Sequence, residues 1–157
     1  MGSDRFSTFL PFIFEHECVF AKGHYGDYNY VIAEDVAGDA GGVTKWGIDN
    51  GGHPDLSASG IRALTKEQAT AIYREEWERE GCEEHPFPLG EAFFDACVNA
   101  GRSRAQKILV ASKDDAVAFI EERENFYRRL VDAKPALKKF LRGWLARTQD
   151  LKKFLGL

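Results

Sequence analysis

No apolar run in this 157-residue sequence approaches the roughly 18 residues that a membrane-spanning helix needs. The most apolar stretch, residues 6–14, follows Asp4 and Arg5 and runs into Glu15, His16 and Glu17. No small-residue cleavage site comes after it, so no secretory leader is read, and synthesis into the cytoplasm without stable membrane insertion is expected. Cysteine is scarce. Cys18, Cys82 and Cys97 make an odd number with no CxxC pair, which argues against a disulfide framework and for reduced thiols. The histidines His16, His24, His53 and His85 form no HExxH pattern, and neither a metal nor a cofactor is expected. Cys82 and His85 lie close together, but the acidic stretch EGCEEH disfavours the thiolate that a cysteine nucleophile needs. Phosphate-binding loops, dinucleotide fingerprints, internal repeats and low-complexity tracts are all missing.

What is present is ordinary in bulk and uneven in detail. With 44% apolar and 29% charged residues, the chain suits one compact domain over residues 1–157. Its charge is divided: residues 101–157 hold 14 Lys/Arg against 7 Asp/Glu, a net +7, which leaves −11 for residues 1–100. A basic end can steer an anionic partner, although solvated faces of C-terminal helices explain the same charge. With −4 overall, nucleic acid is not an expected partner.

The hydrophobic spacing predicts a mainly α domain of the α+β kind. A first helix is predicted from a cap at Ser7 or Thr8 to about Lys22, with Pro11 in its first turn, where a missing N–H is tolerated. Residues 23–60 are rich in Gly, Asp, Asn and Tyr and read as turns, with one strand candidate at Tyr28–Ile32. A capping box at Thr65–Gln68 opens a second helix whose apolar face is Ala69, Ile72, Tyr73 and Trp77, closed by Gly81. A third helix carries Phe93, Phe94, Cys97 and Val98 and stops near Gly101. Further helices carry Ile108 and Leu109, then Val117 to Val131 after a cap at Ser112, then Leu137 to Leu145 beyond Pro135. Trp77 and Trp144 are assigned to the core.

Chemistry concentrates in two places. Glu17 ends the aromatic run FSTFLPFIFEHE, and a glycine-rich segment, GDAGGVTKWGID, follows at Gly38–Asp49. Desolvation disfavours the charged form of a carboxylate, and a general acid must hold a proton near neutral pH. Asp39 supplies a second carboxylate, and two carboxylates in unequal settings are what cleavage of a glycosidic bond requires. Glu15 competes with Glu17 but lies on another helix face.

These residues, with IYREEW at 72–77, FDACVNAG at 94–101, RENFYRRL at 123–130 and GWLAR at 143–147, resemble glycoside hydrolase family 108 in order and along almost the whole chain. That family comprises lysozyme-like N-acetylmuramidases common among phage endolysins. The resemblance implies a lysozyme-like helical domain with a loop-rich insertion, including a short β-hairpin, after the first helix. Residues 1–101 would form the catalytic core and 102–157 the helices that complete it. It implies a peptidoglycan hydrolase that cuts the β-1,4 bond between N-acetylmuramic acid and N-acetylglucosamine, acting as a monomer on glycan strands after release from the cell. Glu17 is then the general acid, Asp39 the second carboxylate and Thr44 the residue that positions water. Gly41 and Gly42 would approach the sugar closely, Trp46 and Tyr73 would stack on it, and Asn99 would bond an acetamido group. Each has a plainer alternative: Asp39 an Asx-turn residue, Thr44 a backbone-bonding strand residue, Trp46 and Tyr73 core aromatics, Asn99 a helix C-cap. The chain departs from the family at Cys18 and Val19, where two glycines are expected, and in a longer loop before Asp39. An inactive glycan-binding or phage-structural protein on the same scaffold, and a lytic transglycosylase, are the alternatives in function.

Overall fold

The computed structural model describes residues 4–35 and 42–157, which form an α+β chain of seven α-helices and a small antiparallel sheet. It divides into two compact units, Met1–Glu76 and Trp77–Leu157.

In the first unit, α1 (Arg5–Glu17) starts earlier than its sequence suggests, because Asp4 and not Ser7 is the cap. The Asp4 carboxylate accepts from the Ser7 amide at 2.8 Å, satisfying one orphan donor of the first turn. Pro11 therefore lies inside the helix, on its exposed side. The helix also ends earlier, at Glu17, since Cys18 is extended with ψ 142°. What stops it is a competing partner. Ala21 N donates to Tyr30 O and Ile32 N to Val19 O, so residues 18–22 turn back along 30–32 instead of continuing the helix.

The strand expected at Tyr28–Ile32 is a correction. Residues Tyr28–Tyr30 form a 3₁₀ turn, capped by Asp27, whose carboxylate accepts from Asn29 N at 3.0 Å. Only Val31 pairs, as a single bridge to Phe20. The sheet forms further on, from β1 (Glu34–Asp35), β2 (Val43–Lys45) and β3 (Ile48–Asp49), in the order β1-β2-β3. β2 and β3 are joined by the two-residue turn Trp46–Gly47, both at positive φ (60° and 77°), as the twist of a tight hairpin requires. The helix α2 (Ala58–Arg62), not foreseen from the sequence, is capped by Ser57, whose Oγ accepts from Gly60 N. α3 (Lys66–Arg79) opens on the predicted capping box, with Thr65 N donating to Gln68 Oε1 at 2.9 Å and Gln68 N to Thr65 Oγ1 at 3.2 Å. The core joins Phe6, Phe9, Phe12, Ile13 and Phe14 of α1 to Val43, Trp46, Ile48, Ile61 and Tyr73, all buried.

The second unit contains α4 (Leu89–Ala100), α5 (Arg102–Ser112), α6 (Ala116–Ala133) and α7 (Lys138–Leu155), with α4 packed on α5 and α6. The cap of α6 is Asp115, which accepts from Ala118 N at 2.7 Å, and not Ser112. Trp77 is buried with its indole N–H on Glu83, while Trp144 is half-buried and stacks on Tyr127 at 5.0 Å. No described helix is long and apolar enough to cross a membrane.

Candidate active site

Glu17 is the last helical residue of α1, half-buried, with its side chain against the β2–β3 turn. The contact is close. A Cβ built on Gly47 would lie 2.6 Å from Glu17 Cβ, 3.0 Å from Glu17 Oε2 and 2.5 Å from the Tyr73 hydroxyl. Carbon atoms in contact normally stand about 3.5–4.0 Å apart, so only glycine fits beneath this glutamate. Its positive φ points the same way.

The turn itself is pinned from two sides. Trp46 holds φ 60°, uncommon for a bulky residue, and its indole N–H donates to Leu64 O at 2.9 Å. The Tyr73 hydroxyl donates to Trp46 O at 2.7 Å. Phe14, one turn of α1 before Glu17, packs on both rings, with centroids 5.2 Å from Trp46 and 5.9 Å from Tyr73. The two sugar-stacking candidates, Trp46 and Tyr73, thus stand at 4% and 2% exposure, packed into the fold beside Glu17. Cys18, next along the chain, has its thiol pushed up to about 12, by burial first and then by the charge of Glu17.

Thr44 occupies the centre of the sheet, paired with Glu34 on β1 and Asp49 on β3. Directly paired residues share a face and successive residues alternate. Val43 and Ile48, on the other face, are each 1% exposed, so Glu34, Thr44 and Asp49 form a row on the face turned away from the core. Asp39 and Gly41 lie outside the described residues. Gly42 is buried just before β2. Asp49 is a carboxylate that sequence reasoning passed over. It is half-buried beside Thr44, with Oδ1 accepting from Gly52 N at 2.6 Å. The alternation V-T-K before the W-G turn would have revealed it, had the expected hairpin been placed there and not at Tyr28–Ile32.

A cavity of about 850 Å³ opens on the Trp46 side of this unit, lined by residues 25–29, Val31, Lys45, Trp46 and 63–67. Neither Glu17 nor Thr44 lines it. Lys45 shares the face of Val43 and not that of Thr44, so the cavity and the Thr44 row lie to opposite sides of the sheet.

Asn99 sits in the second unit within a buried ionic knot. Asp95, fully buried on α4, accepts from Arg123 Nη1 of α6 at 2.7 Å and from Arg147 Nη2 of α7 at 2.8 Å. Asn99 Oδ1 accepts from Arg123 Nη2 at 3.1 Å and from the Tyr127 hydroxyl at 2.5 Å. Burial opposes ionisation of Asp95, but the Arg147 and Arg123 guanidiniums outweigh it and hold the carboxyl below the usual 3.8. The motifs FDACVNAG, RENFYRRL and GWLAR therefore converge on one structural cluster, and the Asn99 carbonyl is spent on it. Among the described residues no three His, Cys, Asp or Glu side chains converge as a metal site.

Residues 31–101 match the family model described as glycosyl hydrolase 108, the family that the motifs resemble. Among solved structures the chain is similar to the structure of Brucella abortus SagA, at 23% identity over 94% of this chain and 91% of that one, with a TM-score of 0.69. That likeness shows the fold, an α+β arrangement of the lysozyme-like class. No curated protein matches the chain.

Proposed function

Taking residues 31–101 as a glycosyl hydrolase 108 segment, we propose that this chain is an N-acetylmuramidase, with peptidoglycan as its substrate and Glu17 as its general acid. The observation that carries this reading is the seat of Glu17, a helix-ending carboxylate held against a turn where only glycine fits. A group fixed in this way can keep one geometry through the reaction, which catalysis by positioning requires.

In this mechanism Glu17 gives its proton to the bridging oxygen between N-acetylmuramic acid and N-acetylglucosamine. The C1–O bond breaks, positive charge spreads over C1 and the ring oxygen, and the leaving sugar departs as an alcohol. A water oriented by Thr44 adds to C1, and its proton passes to a carboxylate. Asp39 is our candidate for that second carboxylate. Asp49 is a second candidate because its place beside Thr44 on the sheet is described directly. Gly41 and Gly42 would border the sugar. We place the action on wall glycan, by a monomer, after release from the cell in the manner of an endolysin.

The deciding measurement is clearing of purified peptidoglycan by wild type and Glu17→Gln, with mass analysis of the products. Reducing muropeptides from wild type and a loss of about 10²–10⁴-fold in the variant are expected. Equal clearing by both proteins would remove Glu17 from the chemistry. Anhydro products would make the enzyme a lytic transglycosylase, and binding without cleavage would make it an inactive wall-binding scaffold.

A further inference from the structure

The cavity beside Trp46 has no part in the mechanism above. Its volume of about 850 Å³ lies within the range of ligand sites, about 300–1,000 Å³. Its wall is built in advance. The loop from Val19 to Ile32 is closed by the Phe20–Val31 bridge and two flanking backbone bonds, and His24 stacks on Tyr30 at 3.6 Å. Most of this wall precedes residue 31, where the match to the family model begins.

The lining decides the class of ligand. Tyr25, 76% exposed, and Tyr28 give it aromatic surface. Lys45 and Lys66 bring ammonium groups, and Asp27 and Glu67 bring carboxylates. Among the described residues none of these four makes an ion pair. Lys45 Nζ donates to Arg62 O at 3.0 Å, and Lys66 Nζ lies 4.5 Å from the Tyr28 ring centroid. Each ammonium has three donors, so both have hydrogens left to give. Asp27 uses Oδ1 for Asn29, leaving Oδ2 for a ligand. An N-acetylated glycan offers Asp27 and Glu67 only neutral hydroxyl and amide donors, whereas an ammonium makes charge-assisted bonds about twice as strong. A short peptide with both a free amine and free carboxylates satisfies all four.

We infer that this cavity binds a short zwitterionic peptide and, resting on the muramidase reading, that the peptide is the diamino-acid-containing stem borne by the glycan. Since the cavity and the Thr44 row are on opposite sides of the sheet, a peptide held here does not occupy the face where Thr44 works.

Calorimetric titration of the full chain with a free stem tetrapeptide containing a diamino acid, beside a tetramer of N-acetylglucosamine, tests this. Saturable binding of the peptide is expected. It should weaken about tenfold in Lys66→Met and in Tyr25→Ala, with a matching rise in KM for intact peptidoglycan. Tyr25 is exposed, so its variant keeps the test valid if Lys66→Met folds poorly. No saturable peptide binding, competition by the sugar tetramer for the same site, or unchanged affinity in folded variants would each overturn the proposal. Peptide affinity is read without turnover. Inactive wild type would therefore sink the muramidase reading alone, whereas an active enzyme with a silent titration would sink this one.

Discussion

Replacing Gly47 by alanine tests the seat of Glu17 with a single methyl group. Two effects act together. At φ +77° a side chain costs about 1–2 kcal/mol that glycine does not incur. The new Cβ would also stand 2.6 Å from Glu17 Cβ and 2.5 Å from the Tyr73 hydroxyl, about an ångström inside normal contact. The hydroxyl cannot simply retreat, because it donates to Trp46 O at 2.7 Å, and breaking that bond costs about 1 kcal/mol more. A total of about 2–4 kcal/mol lowers Tm by about 5–15 °C in a chain of this length. Where the turn holds, Glu17 must move instead, and a displacement near 1 Å lowers kcat by about 100-fold. The control is Gly23→Ala. Gly23 has φ +84° and nothing within 4 Å of the added Cβ, so it carries the backbone cost without the collision. Scanning calorimetry and initial clearing rates on peptidoglycan, run on both variants and wild type, separate the two effects. If Gly47→Ala melts and clears like Gly23→Ala, the contact does not position Glu17 and the reasoning fails.

Asp95→Asn should destabilise the protein by about 3–5 kcal/mol in calorimetry, because it leaves the Arg123 and Arg147 guanidiniums buried without their counter-charge. As the folded Asp95 carboxyl is held below 3.8, its contribution is complete above that value and is lost as pH falls through the lower folded value; acid unfolding followed by circular dichroism should show this limb in wild type and not in the variant. With its thiol raised to about 12, Cys18 should stay unalkylated at pH 8 under conditions that label a free cysteine peptide, and peptide mapping should find it labelled only in denaturant. Asp39→Asn should slow clearing about 100-fold and Asp49→Asn less than tenfold. The reverse order would move the second-carboxylate role to Asp49.

The helices were legible because their signals are local. The Thr65–Gln68 box, the glycine stops and the apolar stripes each act within one or two turns of chain, and α3, α4 and α6 lie close to where the spacing predicts them. The errors arose where a distant partner won. Residues 18–22 could extend α1 by propensity, but hydrogen bonds to residues 30–32 drew them away. Tyr28–Tyr30 has strand-like composition, yet one Asp27 carboxylate turned it into a 3₁₀ segment. The short β-hairpin after the first helix is expected from the family resemblance, but its strands were not located because its turn is W-G and not N-G. A tryptophan at positive φ is readable only once its indole bond to Leu64 and its carbonyl bond from Tyr73 are known.

The same distinction between local and long-range signals explains what the motifs meant. Seen as a string, TKWGID, IYREEW and FDACVNAG supply substrate-contact candidates in Trp46, Tyr73 and Asn99, while RENFYRRL and GWLAR carry only the family resemblance. In three dimensions they separate by physical role. Trp46, Gly47 and Tyr73 hold a turn beneath Glu17, and Asp95, Asn99, Arg123, Tyr127 and Arg147 tie three helices of the second unit. Most of these side chains have their polar atoms committed to one another, so a substitution there acts on geometry and stability before it acts on the substrate. On the proposed muramidase reading, contact with the glycan would fall to a smaller set, the carboxylate of Glu17 and the row of Glu34, Thr44 and Asp49, whose face is turned away from the core. Removing the Thr44 hydroxyl as Thr44→Val separates these roles. The β-branched shape that suits a strand is retained, so Tm should stay within about 1 kcal/mol equivalent of wild type, while clearing falls at least tenfold. A Tm loss with proportionate loss of activity would mean that Thr44 serves the sheet and not the water.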